Sequence, residues 1–202
     1  MVYIKDMTRL LVDTSSDYIV IVVAQDNDIL ASQLIYAGKK MSELLLEQVD
    51  NILKSISLTI DDIDEFYAGI GPGSFTGVRI GVALILGLSS GSNKKAYGIS
   101  SLDVEAVVSG RDTLKTASLL KGDCYAVRDY DFTNNVFSQY YLEEIIDNNI
   151  NDYTLINNGK SYFPDLMFAV QSGKLWDFRA ECLPIYLRKS EAEINLDKKS
   201  IS

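Results

Sequence analysis

The segment GIGPGSFTGVRIGVALILGLSSG, residues 69–91, carries the chemistry that stands out first. Gly71-Pro72-Gly73-Ser74-Phe75-Thr76-Gly77 bares backbone N–H groups and offers two hydroxyls ahead of an apolar run, the equipment of a phosphate loop opening a helix. Gly73, Ser74 and Thr76 are the contacts such a loop would use. The spacing departs from the phosphate signatures, however. No Walker lysine follows, the glycines fall as GxGxxxG, and Arg79 is the nearby cation. An ordinary strand–turn–helix junction is the competing reading.

Composition narrows the chemistry further. The chain has no histidine, which removes Ser-His-Asp and Cys-His catalysis, His-ligated zinc and His proton shuttles. Its two cysteines, Cys124 and Cys182, form no CxxC pair and suit a reducing cytoplasm. With 28 acidic against 19 basic residues, the net charge of −9 disfavours a direct role in binding tRNA or DNA. The clusters Lys39-Lys40 and Lys94-Lys95 read as solvated loop ends. Hydrophobic residues make up 47% of the 202, which is enough to bury a core in one large domain or two small lobes. The N-terminus shows no secretory h-region, and the apolar run 78–88, interrupted by Arg79, Gly81 and Gly87, is too short to span a membrane.

The elements that must position this loop follow from periodicity. Residues 9–12, 18–24 and 29–35 read as three strands of an antiparallel meander, joined by the turns at Asp13–Asp17 and Asp26–Asp28. Met41, Leu45, Val49, Ile52, Leu53 and Ile56 recur at steps of three and four, giving the first helix, with Leu46 off the stripe. A strand over 66–70 feeds the glycine loop, and the loop feeds a helix over 76–89. A strand over 96–99 and a helix capped by Ser101 through Val108 complete residues 1–110 as one lobe. Residues 111–202 repeat the pattern more weakly. Strands are predicted over 114–120, 124–127, 136–141 and 153–157, a helical piece over 142–146, a helix over 164–171 and a last strand over 183–187. Two such halves are the two-lobed actin-like ATPase architecture, an α/β fold of mixed sheets flanked by helices, here with a reduced second lobe. In that class an Asp at the first strand turn positions Mg²⁺ and hydroxyl-rich turns hold phosphate, roles that would fall to Asp13, Thr14, Ser15 and Ser16. A solvated hairpin turn is the plainer reading of the same residues.

The helix over 76–89 is apolar on every face but for Arg79 and the terminal serines, which predicts burial on all sides. Gly77 and Gly81, four residues apart, would let another backbone approach closely, either within the chain or from a second one.

LLVDTSS at 10–16, GKKMSELLLEQVDNIL at 38–53, GPGSFTGVRIG at 71–81 and LPIYLRKSEAE at 183–193 resemble the TsaB (YeaZ) family. The resemblance implies a scaffold without catalytic or metal-binding residues, working in the bacterial synthesis of N6-threonylcarbamoyladenosine at position 37 of tRNA. It implies heterodimerisation with the catalytic paralogue TsaD, recruitment of the ATPase TsaE, a homodimer when TsaD is absent, and tRNA contact only through the complex. No intrinsic cofactor is implied, with ATP or ADP at a partner interface left open. The implied location is cytoplasmic, with no membrane role. In the family the first two helices pack on their TsaD equivalents. This makes Met41, Leu45, Val49, Gly77, Val78, Arg79, Gly81, Val82 and Ile85 the expected partner surface. Met41 stands where the family often has a histidine, and the family's Asp-Ala-Arg is degraded around residues 118–125. The alternative function is a self-sufficient actin-like nucleotide hydrolase.

Overall fold

The computed structural model describes residues 6–145, 150–156 and 162–187. Three strands open it: β1 (Thr8–Asp13), β2 (Tyr18–Gln25) and β3 (Asp28–Tyr36). Helix α1 (Met41–Ser55), strand β4 (Glu65–Gly69), helix α2 (Phe75–Gly91), strand β5 (Lys95–Ile99) and helix α3 (Ser101–Ser109) follow. The first sheet has the order β3-β2-β1-β4-β5. The three N-terminal strands are antiparallel, and β4 and β5 run parallel to β1.

Alternation along the strands sorts the core into two layers. Leu10, Val12, Ile19, Ile21, Val23, Phe66 and Ala68 face α1 and α2. Leu11, Val20, Val22, Tyr67 and Ile99 face the opposite side, against α3. Strands β1 and β2 are therefore covered on both faces, which is why they read as continuous apolar runs.

The second sheet comprises β6 (Thr113–Lys121), β7 (Cys124–Asp131), β8 (Val136–Phe137), β9 (Tyr141–Glu144) and β10 (Thr154–Leu155). Its order is β10-β6-β7-β8, with β9 also pairing on β7. The buried centre of its own small core is Ala117, Val127 and Ile145. Helix α4 (Phe163–Gln171) then returns to the first sheet, where Leu166, Ala169 and Val170 join the α3 layer.

Several local expectations are corrected. Residues 142–144 are strand rather than helix, because Ala126↔Leu142 and Cys124↔Glu144 pair antiparallel; Ile146 lies outside the described residues. The strand predicted over 136–141 is two short ones, and Asn157 of the strand predicted over 153–157 lies outside the described residues. Residues 183–187 form no ladder strand. They run beside the first sheet, where the Ile185 N–H donates to the Ile70 carbonyl at 3.0 Å. Helix α3 is capped by Ser100, one residue earlier than predicted, through a capping box with Asp103. Residues 188–193 of the C-terminal motif lie outside the described residues.

Candidate interaction face and the Asp13 turn

The loop between β1 and β2 and the loop between β4 and α2 meet at one junction. Asp13 is buried, and its Oδ1 accepts the Ser15 N–H at 2.7 Å. The Ser74 N–H donates to the Ser15 carbonyl at 2.6 Å, and Thr14 Oγ1 donates to the Gly77 carbonyl at 2.7 Å. Ser74 Oγ accepts the Gly77 N–H at 3.2 Å and so caps α2. The structure thus brings Asp13, Thr14, Ser15, Gly73 and Ser74 together, with Thr76 exposed on the first turn of α2.

Four glycines at intervals of four residues frame this junction. A Cβ on Gly69 would collide with the Asp13 carboxylate, one on Gly73 with the Ser15 carbonyl, one on Gly77 with the Thr14 carbonyl, and one on Gly81 with Thr14 Oγ1. The clearance expected at Gly77 and Gly81 is therefore real, but the approaching backbone is the chain's own first turn. A sequence wheel places the glycines on one face without naming the neighbour.

The same geometry tests the fit of an actin-type Mg²⁺-nucleotide. The Tyr162 hydroxyl, from the segment leading into α4, donates to Asp13 Oδ2. Burial, and then the Asp13 carboxylate, push the Tyr162 phenol well above its ordinary pKa, so it stays a donor. Both Asp13 oxygens are engaged within the chain, so Asp13 as placed does not fit the role of holding a Mg²⁺ ion.

The expected partner residues fall on two sides of α1 and α2. Met41, Leu45, Val49, Val78, Val82 and Ile85 are buried in the chain's own core, and Gly77 and Gly81 are buried against Thr14. Of the nine, Arg79 is exposed. The expectation that α2 is covered all round is also corrected. Its outward arc of roughly 140° at ~100° per residue holds Phe75, Ile80, Ala83, Leu86 and Gly87 together with Thr76, Arg79 and Ser90, a mainly apolar stripe. Phe75 is 39% and Leu86 40% exposed, and Leu46 on α1 is 58% exposed. An apolar stripe facing solvent is what the periodicity mistook for burial.

Two buried polar nodes escaped the sequence reading. Asp103 on α3 is fully buried and accepts from Ser100 N at 3.0 Å, Arg128 Nη1 at 2.5 Å, Tyr130 Oη at 2.8 Å and Tyr140 Oη at 3.0 Å. Burial alone pulls the Arg128 pKa down, but the Asp103 charge, the Tyr140 and Tyr130 phenols and the hydrogen bond to Asp103 together outweigh it and raise it. The node ties α3 to the second sheet, and the Ser-x-x-Asp spacing was its one legible trace. At the other end of the first sheet, Glu65 pairs with Arg9 and Arg179, each at 3.1 Å. Tyr67 donates to the same carboxylate at 3.0 Å.

Comparison with known proteins follows the same lines. A family model described as "TsaD: tRNA N6-adenosine threonylcarbamoyltransferase" matches residues 35–135, half of the chain. The tRNA threonylcarbamoyladenosine biosynthesis protein TsaB of Bacillus subtilis is 31% identical over 100 residues, which are 50% of this chain and 44% of that protein. Its namesake in Escherichia coli is 31% identical over 96 residues, 48% of this chain and 41% of that protein. The matches thus span less than half the length of these relatives. YeaZ from Pseudomonas aeruginosa superimposes with a TM-score of 0.66 at 17% identity, covering 90% of this chain and 100% of that one, which establishes the shared fold. The chain belongs to the TsaD-type family of tRNA threonylcarbamoyladenosine proteins and sits with its TsaB (YeaZ) members.

Proposed function

We propose that the chain is a non-catalytic scaffold in tRNA N6-threonylcarbamoyladenosine synthesis. In this reading it pairs with a TsaD-type threonylcarbamoyltransferase, helps recruit a TsaE-type ATPase, and meets tRNA only through that assembly. Without the TsaD-type partner it pairs with itself. The observation that carries the reading is the solvent-facing, mainly apolar stripe of α2, beside a junction whose Asp13 carboxylate and Thr14 hydroxyl are spent on contacts within the chain. A helix that leaves Phe75 and Leu86 toward water, beside the exposed Leu46 of α1, invites a second apolar helix. The absence of histidine from all 202 residues also supports a supporting role over a catalytic one. The docking surface is accordingly the outward residues of α1 and α2, not their buried ones.

The two-part division at residues 110 and 111 belongs to the same proposal, with the docking helices in the first part. A cytoplasmic location follows from the proposed role; among the described residues no helix is long and apolar enough to cross a membrane.

The test is to mix the chain with the TsaD-type protein of its own organism and measure the mass of the product. A 1:1 complex that Leu86→Asp abolishes is expected. ATP turnover by the chain alone, lost in Asp13→Ala, would instead favour the nucleotide-hydrolase reading.

A further inference from the structure

One charged side chain interrupts the apolar stripe of α2. The Arg79 guanidinium carbon lies 3.8 Å from the centre of the Phe75 ring and 5.3 Å from that of Tyr186. Nε donates to Tyr186 Oη at 3.0 Å, and the two rings are 5.8 Å apart. Tyr186 sits next to Ile185, whose N–H is fixed on the Ile70 carbonyl. The arginine is therefore held by its own helix on one side and by the C-terminal segment on the other. Among the described residues it enters no ion pair and makes its hydrogen bonding through Nε alone.

Arg79 is thus an oriented guanidinium in the middle of a mainly apolar face, its terminal nitrogens without an ion pair among the described residues. Holding it in place before association removes part of the ordering cost of binding. Covering it with a purely apolar helix would strip its water and return nothing, an expensive outcome for a charge. A carboxylate meeting it would form a charge-assisted, bidentate pair. Helix α2 contains no acidic residue, so face-to-face pairing of α2 with α2 of a second copy would leave both guanidiniums without a carboxylate. An acidic residue on the facing helix would also have to approach a chain of net charge −9, so this cation sets register rather than bulk attraction.

We propose that Arg79, held by Phe75 and Tyr186, is a preset ionic anchor of the α2 docking face, and that the partner it fits is an apolar helix carrying a carboxylate opposite it. The proposal rests on the scaffold reading above in taking the outward face of α2 as the docking surface, and it adds the chemistry the partner must bring.

The experiment measures affinity for the TsaD-type protein of the same organism at about 50 and 300 mM salt, a range that screens an ion pair. The variants are Arg79→Ala, Arg79→Lys, Tyr186→Phe and Leu86→Asp, with thermal midpoints confirming that each is folded. Arg79→Ala is expected to weaken binding about tenfold or more and to flatten its salt dependence. Arg79→Lys should restore only part of the affinity, since a point charge lacks the bidentate fork. Tyr186→Phe, which keeps the ring and removes the hydroxyl, should weaken binding several-fold with the salt dependence intact. If Leu86→Asp abolishes binding while Arg79→Ala stays within about twofold of wild type, the docking face stands and the anchor is overturned. If Leu86→Asp binds as wild type does, the docking face itself is overturned. If the chain alone binds inorganic phosphate or Mg-ATP and loses it in Arg79→Ala, the arginine serves an anion and the proposal fails.

Discussion

Alanine at Gly77 and at Gly87 should act in opposite directions, although both glycines lie in α2. A Cβ on Gly87 meets nothing within 4 Å. There the change restores helix propensity and trims unfolded-state freedom, so it should stabilise by about 0.5–1 kcal/mol. A Cβ on Gly77 falls well under 3.0 Å from the Thr14 carbonyl oxygen and 3.2 Å from Ser74 Cβ and Oγ. The carbonyl is backbone and cannot rotate away, so β1's turn and α2 must separate. That separation also strains the Thr14 Oγ1–Gly77 bond and the Ser74 cap. Overpacking at about 1–3 kcal/mol, plus about 1 kcal/mol for each weakened bond, exceeds the propensity gain. Gly77→Ala should therefore cost roughly 2–4 kcal/mol net. Urea denaturation of the isolated chain, followed by circular dichroism, reads both variants. Equal midpoints for the two, or a Gly77→Ala midpoint at or above wild type, would show that the glycines do not serve the Asp13 turn.

Three further outcomes follow from the polar interior. Asp103→Asn keeps the shape of the α3 node but leaves Arg128 without its charge partner, and should cost about 3 kcal/mol in the same assay; a loss below about 1 kcal/mol would mean the node is not a structural tie. Tyr130, Tyr140 and Tyr162 are all pushed above the ordinary phenol value of 10.0, first by burial and then by Asp103, Asp103 and Asp13 respectively. Because the folded state holds these protons more tightly, their contribution is complete below pH 10 and is lost as pH rises beyond it; native titration at 295 nm should show delayed phenolate formation, and stability independent of pH from 9 to 11 (roughly) would contradict the burial. Cys182 is buried and its thiol is pushed up to about 11, so iodoacetamide near pH 8 should modify Cys124 and reach Cys182 only on unfolding; rapid double labelling of the native chain would place Cys182 at the surface.

Much of the first lobe was legible because its strands and helices obey simple periods. The runs behind β1 and β2 and the stripe of α1 carry their burial in their spacing. Helix α2 was legible as a helix and misleading as a buried one, since composition around a wheel cannot tell a core from a face held ready for contact. The glycine spacing announced a close approach, but the partner in that approach lies more than sixty residues upstream in β1's turn. The Asp103 node gathers Arg128, Tyr130 and Tyr140 from 25 to 37 residues downstream, a convergence no local pattern records. In the second lobe, residues 142–144 were too short a stretch for period to separate helix from strand, and pairing with β7 decided it. Arg79 was visible as a lone charge, whereas its two aromatic neighbours became apparent only once the tail was seen to pass beside Ile70.

The central claim is that this chain acts by docking the outward face of α2 onto a catalytic relative. Light scattering on an equimolar mixture of the chain with its organism's TsaD-type protein tests it most directly. A single species at the summed mass is expected, lost with Leu86→Asp and retained with Val136→Asp, an exposed position in the second sheet. Two separate masses, or a complex indifferent to Leu86→Asp, would contradict it.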